Sequence, residues 1–119
     1  MERYDLVVLG GGSAGESIAG AVARGGKSVA LVEERLVGGE CPYFACMPSK
    51  AMLYAAELRN LISNAHQAGA VSRRLALDEA RAAYAAAVAR RDEVAEQRDD
   101  SGAVGRLEAD GVRVMRVSR

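Results

Sequence analysis

An α/β fold on an open, incomplete parallel sheet is predicted by three observations. Tyr4 to Leu9 and Ser28 to Val32 are short, β-rich apolar runs, as strands of a buried parallel sheet require. Between them, Ser13 to Arg24 carries small residues with Ile18 and Val22 at helical spacing, which completes a βαβ unit. A third run, Val112 to Val117, follows two long helical stretches and would add a further strand.

Each element has a local cause. The first strand ends at glycines, and Gly25-Gly26 stops the first helix, as glycine does by accepting the left-handed conformation. Glu33 closes the second strand. A helix is expected from about Pro48 to Ala68, with Met52, Leu53, Leu58, Leu61 and Ile62 as its apolar faces and Gly69 as its stop. Asp78 is placed as the N-cap of a second long helix to about Arg98. Its apolar line of Leu77, Ala80, Tyr84, Ala87/Val88 and Val94/Ala95 keeps three-four spacing, interrupted by Arg91. The pair is expected as an antiparallel hairpin inserted into the sheet's connection. Asp99-Asp100-Ser101-Gly102 breaks the pattern, a short helix carries Val104 and Leu107, and Gly111 precedes the third strand.

Composition narrows the function. The 119 residues suit one domain, and half are apolar. Sixteen basic residues balance sixteen acidic ones, so charge points neither to nucleic acid nor to an anionic membrane. The arginines at 73, 74, 81, 90 and 91 are interleaved with Asp78, Glu79, Asp92 and Glu93, the pattern of a solvated helix face. The Met1-Glu2-Arg3-Tyr4-Asp5 start lacks signal-peptide character and Leu6 to Leu9 is too short to span a bilayer, so the chain is expected to be cytoplasmic. Two cysteines there argue for redox or catalytic use over a structural staple.

Gly10-Gly11-Gly12-Ser13-Ala14-Gly15 stands between the first strand and the first helix. Gly10 permits the tight turn, Gly12 lets the backbone approach a pyrophosphate, and Gly15 lets helix and strand pack closely. The first helical turn, at Ser13, Ala14 and Gly15, faces that phosphate position with free N–H groups. Glu33 stands where an acid accepts hydrogen bonds from a ribose diol. The unit is therefore Rossmann-like and predicted to bind a dinucleotide. A ligand-free glycine turn explains it less well, because three glycines carry an entropic cost that packing does not require.

Cys41 and Cys46 are compatible with a redox pair, half a metal site or two core thiols. His66 is the sole histidine, and its polar neighbours Asn64 and Gln67 make it a surface residue, so no metal is expected. Gly38-Gly39 and Pro48 bracket the pair, which suits a bent start to a helix better than a packed interior. Residues five apart on a regular helix do not face each other, so a disulfide between them needs a distorted turn.

The run Gly38-Gly39-x-Cys41-x-x-x-x-Cys46-x-Pro48-Ser49-Lys50, with the glycine fingerprint and Glu33 ahead of it, resembles the active-site signature of the flavoprotein disulfide reductases. That family includes dihydrolipoamide dehydrogenase, glutathione reductase and mercuric reductase. The resemblance implies that residues 1–119 are the N-terminal part of an FAD-binding domain. It implies that Cys46 is the thiol beside the flavin, in charge-transfer contact with it, and that Cys41 is the interchange thiol attacking a substrate disulfide. Lys50 would lie near the flavin N5 edge. Gly10, Gly12, Ser13, Ala14, Gly15, Glu33 and Gly39 would join Lys50 in binding FAD. In the intact family, NAD(P)H reduces FAD, the substrate is a small-molecule or protein disulfide, and the enzyme is a homodimer.

The match has departures. The Pro42-Tyr43-Phe44-Ala45 insert replaces a small, polar, glycine-ending one, and Tyr43 and Phe44 are expected to make the substrate side bulkier and more apolar. Glu40 replaces a threonine, and a carboxylate beside Cys41 should oppose thiolate formation. Val117-Ser118-Arg119 stands where the family's third strand continues through a glycine to the adenine pocket. No second fingerprint for a nicotinamide follows, nor an interface domain to supply an acid/base pair, so the isolated chain is expected to be inactive. Its three-stranded sheet should have exposed edges and partly covered faces. Two other functions fit: a non-catalytic remnant that binds nucleotide or a partner, and an NAD-binding domain with incidental cysteines.

Overall fold

The computed structural model describes residues 1–117, so that Ser118 and Arg119 of the closing tripeptide lie outside it. Three parallel strands, β1 (Leu6–Leu9), β2 (Val29–Glu33) and β3 (Val112–Arg116), form one sheet with β2 in the centre. Leu6 lies opposite Val29, and Val29 opposite Val112, so the three strands are in register from their first residues. Helix α1 (Ser13–Arg24) makes the β1–β2 crossover. The β2–β3 connection holds α2 (Glu40–Tyr43), α3 (Cys46–Asn64), α4 (Ala80–Val94), a 3-10 turn at Glu96–Arg98 and α5 (Ser101–Ala109). The mixed α/β architecture, the open parallel sheet and the inserted hairpin agree with the sequence expectation.

The core lies on one face of the sheet. Val29 and Leu31 of β2 and Val112 of β3 pack with Ala19 of α1 and Ala103 and Leu107 of α5, and Val37 from the loop after β2 completes the cluster. Leu6 and Val8 lean on it from β1, whereas Val7 and Leu9 are 51% and 81% exposed. The run Tyr4 to Leu9 is thus shorter than expected as a strand and buried on one face only. It is an edge strand whose outer face carries no helix, and alternation at period two divides its residues.

Boundaries moved where side chains, not periodicity, decide them. Helix α3 starts at Cys46 and ends at Asn64, and turns carry the chain on to Gly69, whose φ is +74°. Glu79, not Asp78, caps α4, its carboxylate accepting from the N–H groups of Arg81 and Ala82. Helix α4 stops at Val94 because Glu96, Gln97 and Arg98 take positive φ values, which turn the chain back toward the sheet. Arg91 and Arg98 both donate to Asp92 there, and these bonds, that from Arg98 first, hold its carboxyl below the usual range. The hairpin stands away from the sheet. Pro48 is the buried residue of α3, α4 buries none, and the molecule measures 71 × 29 × 18 Å.

Asp100, read from sequence as a helix breaker, is a buried carboxylate. It accepts from the Val37 N–H at 2.6 Å and from the Arg116 guanidinium, which also donates to the Arg35 carbonyl. Two ends of the long connection are thereby tied to the loop after β2. Asp100→Ala leaves the Val37 N–H buried without an acceptor, and should lower stability by about 2 kcal/mol in urea denaturation. Arg116→Ala, which leaves no buried donor orphaned, should cost less.

Candidate functional site

The site forms at the carboxyl end of the sheet, where open parallel sheets place their ligands. The chain leaves β1 through Gly10, whose φ of +97° makes the tight turn and whose N–H donates to the Val32 carbonyl at 2.8 Å. A Cβ at Gly15 would stand 1.9 Å from the Gly10 carbonyl oxygen, so helix and turn touch backbone to backbone. Gly12 differs. Its φ of −76° suits any residue, and a Cβ there would meet nothing within 4 Å. Its lack of a side chain therefore leaves open space at the α1 N-terminus. Gly12 supplies no side-chain cap, so the Ser13, Ala14 and Gly15 N–H groups face that space without an intrahelical partner. A cradle left clear, edged by backbone donors at the positive end of a helix, fits a pyrophosphate.

Glu33 is tied into this loop. Its two carboxylate oxygens accept from the Gly11 N–H at 2.6 Å and from the Arg35 N–H at 2.7 Å. Burial pushes its pKa up, but the N–H groups of Arg35, Gly11 and Glu34 outweigh it and the net shift is downward. An ionised carboxylate offers about four acceptor sites, so these three N–H groups leave capacity for a ribose hydroxyl.

The glycine loop and the cysteine segment meet directly. The Gly38 N–H donates to the Gly11 carbonyl at 2.7 Å, and Gly39, at φ +81°, lies so close that a Cβ on it would come within 3.1 Å of Gly12 Cα. Helix α2 begins at the next residue and carries Cys41. Both Phe44 and Ala45 N–H groups bond to the Glu40 carbonyl, which ends α2, and α3 restarts at Cys46. This break is the distorted turn that a Cys41–Cys46 pair needs. Both cysteines are free and exposed. The neighbouring Cys46 side chain is the largest cause pushing the Cys41 thiol above its ordinary range; lost hydration adds to this, while the Cys46 backbone N–H and the Lys50 charge pull it down. Lys50 is exposed, one helical turn beyond Cys46 on the same face.

Two expectations change, one for Tyr43 in the insert and one for Glu40 before it. Tyr43 does not face a substrate: it is 2% exposed, its hydroxyl donates to the Val37 carbonyl at 3.0 Å, and its ring fills the space a Gly38 side chain would need. Phe44 is 43% exposed and meets Tyr43 edge-on, with centroids 6.5 Å apart. Glu40 is paired with the Arg35 guanidinium, and the rise at Cys41 stems first from its partner thiol. Sequence reasoning missed Arg35, Val37 and Asp100, none of which belongs to a local pattern. His66 lies in the turns after α3, with Nδ1 3.3 Å from the Val71 carbonyl oxygen. Among the described residues no helix is long and apolar enough to cross a membrane.

A family model described as pyridine nucleotide-disulphide oxidoreductase matches residues 4–115. A dihydrolipoyl dehydrogenase of Chlamydia muridarum is 40% identical over 93 residues, which are 78% of this chain and 19% of that protein. A mercuric reductase of Staphylococcus aureus is 44% identical over 61 residues, 51% of this chain and 11% of the relative. Among solved structures, the Cu(II) complex of the HOCl-induced flavoprotein disulfide reductase RclA from Escherichia coli superimposes with a TM-score of 0.70 at 24% identity, over 99% of this chain and 22% of RclA. That likeness carries the fold. The chain spans no more than 22% of the length of any of these proteins.

The two glycines should part company on substitution. Gly15→Ala forces the Gly10 carbonyl aside and should cost about 3 kcal/mol of stability. Gly12→Ala should leave the urea midpoint nearly unchanged yet weaken binding of a probe dinucleotide about tenfold, as the methyl group pushes its phosphate off one backbone N–H. Equal destabilisation by both would remove Gly12 from the ligand site. At the thiols, Cys46→Ala removes the main cause of the Cys41 shift, so the pH midpoint of Cys41 alkylation should fall.

Proposed function

The chain belongs to the pyridine nucleotide-disulphide oxidoreductase family, and from that membership we propose that it is the N-terminal part of an FAD-binding domain whose Cys41–Cys46 pair exchanges electrons with a disulfide. The observation that carries this is the junction of the two motifs: Gly39 rests on Gly12 at the mouth of the cradle, and the helix break immediately beyond separates α2, which carries Cys41, from α3, which starts at Cys46. Nucleotide cradle and dithiol are thus one structural unit. The NAD(P)H site and the dimer interface of such an enzyme belong to segments outside these 119 residues.

The residues divide the work. The N–H groups of Ser13, Ala14 and Gly15 would hold the FAD pyrophosphate at the space beside Gly12, and Glu33 would accept from the adenosine ribose. When bound, FAD supplies the two-electron chemistry that links a nicotinamide donor to the cysteine pair. On the substrate side, the Cys41 thiolate attacks one sulfur of a disulfide, forming a mixed disulfide and expelling the other sulfur as a thiolate. Cys46, losing its proton, then attacks the Cys41 sulfur, the second thiolate departs, and the Cys41–Cys46 bond forms. Two electrons leave the dithiol and two enter the substrate. Lys50 favours the Cys41 thiolate by its charge. The substrate is a disulfide of a small molecule or a protein, and the site is cytoplasmic in setting.

The test needs only the reduced chain and a small aryl disulfide. Both thiols should disappear without retained adduct mass, as the intramolecular disulfide forms. Cys46→Ala should arrest as a mixed disulfide on Cys41. If Cys41→Ala traps the adduct on Cys46 at an equal rate, the assignment of Cys41 as the exchanging thiol is wrong.

A further inference from the structure

The cysteine segment is held by one side chain that the reactions above do not use. The Arg35 guanidinium pairs with a Glu40 carboxylate oxygen and lies over the Phe44 ring, its central carbon 4.9 Å from the centroid. Those two residues bracket the interchange thiol: Glu40 directly precedes Cys41, and Phe44 opens the break before Cys46. The arginine's own backbone is fixed on both sides. Its N–H donates to Glu33 at 2.7 Å, and its carbonyl accepts from Arg116, which also pairs with the buried Asp100. A guanidinium on a fixed stem thus reaches across to the active-site turn. Arginine suits this task, since its flat fork can pair with a carboxylate while its face rests on a ring.

We propose that Arg35 is a positioning residue for Cys41, holding the Glu40 carboxylate in an ion pair and stacking on Phe44 to fix the turn that carries the thiol. The proposal rests on the role given to Cys41 above. Cys46 and Lys50 of α3 act on Cys41, and its chain neighbour Glu40 is paired with Arg35. An unpaired carboxylate next to a thiol disfavours the thiolate. Pairing with Arg35 removes that opposition while leaving an acid at the position. Both side chains are more than half exposed, so solvent screens the pair and the effect is modest.

The experiment follows Cys41 alkylation by iodoacetamide against pH in the full chain carrying Cys46→Ala, so that one thiol reports. Adding Arg35→Gln should slow alkylation about threefold at pH values below the midpoint, and move the midpoint up by the matching amount. Glu40→Gln should cancel the effect, so that Arg35→Gln/Glu40→Gln reacts as fast as Glu40→Gln alone. Arg35→Lys, which keeps the charge, should hold the midpoint. A midpoint unmoved by Arg35→Gln, or moved equally with Glu40→Gln present, overturns the proposal, because a merely structural role would not depend on the carboxylate. Should Arg35→Gln lose its far-ultraviolet circular dichroism, Glu40→Gln alone tests the pair from the other side. With the carboxylate gone the arginine has nothing to offset, so this variant should react at the parent rate. An acceleration of about threefold would mean that Glu40 opposes the thiolate unpaired and would overturn the pairing. Alkylation requires no disulfide exchange. Failure of the aryl disulfide reaction would therefore sink the role of Cys41 and leave the Arg35 result standing.

Discussion

The Asp100 carboxylate is the constraint on which the rest of the site depends. It is buried, it sits at the end of the long connection, and it accepts the Val37 N–H from a loop 63 residues earlier in the chain. A hydrogen bond to a charged acceptor in a buried place is strong, and leaving that N–H unpaired would be costly. Because Val37 is fixed, Gly38 can donate to Gly11 and Gly39 can rest on Gly12. The cysteine helix then starts from a set position. Arg116 reinforces this by bonding both Asp100 and the Arg35 carbonyl, which couples β3 to the same loop. The glycine cradle and the thiols are thereby related through two ion-assisted contacts together with the apolar burial of Val37 and Tyr43.

How much of this was legible in the sequence follows from how far each cause reaches. The first crossover was legible because strand, glycine turn and helix are neighbours in the chain, and α1 has the bounds its spacing implied, Ser13 to Arg24. The hairpin was legible for the same reason, although its caps were not: Asp78 and Glu79 are both acids, and only side-chain direction makes Glu79 the acceptor. The early end of α4 rests on three consecutive residues in the left-handed region, which nothing in Glu96-Gln97-Arg98 announces. Tyr43 illustrates the same limit. An aromatic between two cysteines suggests a substrate contact, but the loop folded under α2 gives its hydroxyl the Val37 carbonyl and draws the ring into the core. The candidate site residues themselves were legible because glycine and cysteine have few other reasons to occur in such a pattern. The residues that hold them, Arg35, Val37 and Asp100, were not, because each acts on a distant part of the chain.

The thiol pair illustrates why holding residues matter. Cys41 is raised first by its neighbour Cys46, as follows when one thiol ionises beside another. A further carboxylate at position 40 would add to that burden if it were free. With Glu40 turned to Arg35, the influences on Cys41 reduce to the partner thiol, some lost hydration, the Cys46 N–H and the Lys50 charge. An acid in place of a threonine is thus compatible with a reactive pair, provided that the arginine two residues past Glu33 stays in place.

Placement of the site on the sheet follows from which strand is covered. Central β2 is buried at Val29, Ala30 and Leu31 and half-buried at Val32 and Glu33, and it pairs with a strand on each side, so its carboxyl end is held by the ladders of both neighbours. Glu33 stands at that end, and its two backbone bonds carry the anchorage to Gly11 on one side and Arg35 on the other. Edge strand β1 is half exposed along its length, yet its turn is secured by Gly10 N–H to Val32 and by the backbone contact with Gly15. Rigidity at the site therefore derives from hydrogen bonds radiating from one strand end, and it does not require the outer face of β1 to be covered. That separation explains how a well-ordered cradle and cysteine turn coexist with an open sheet and a hairpin that buries almost nothing.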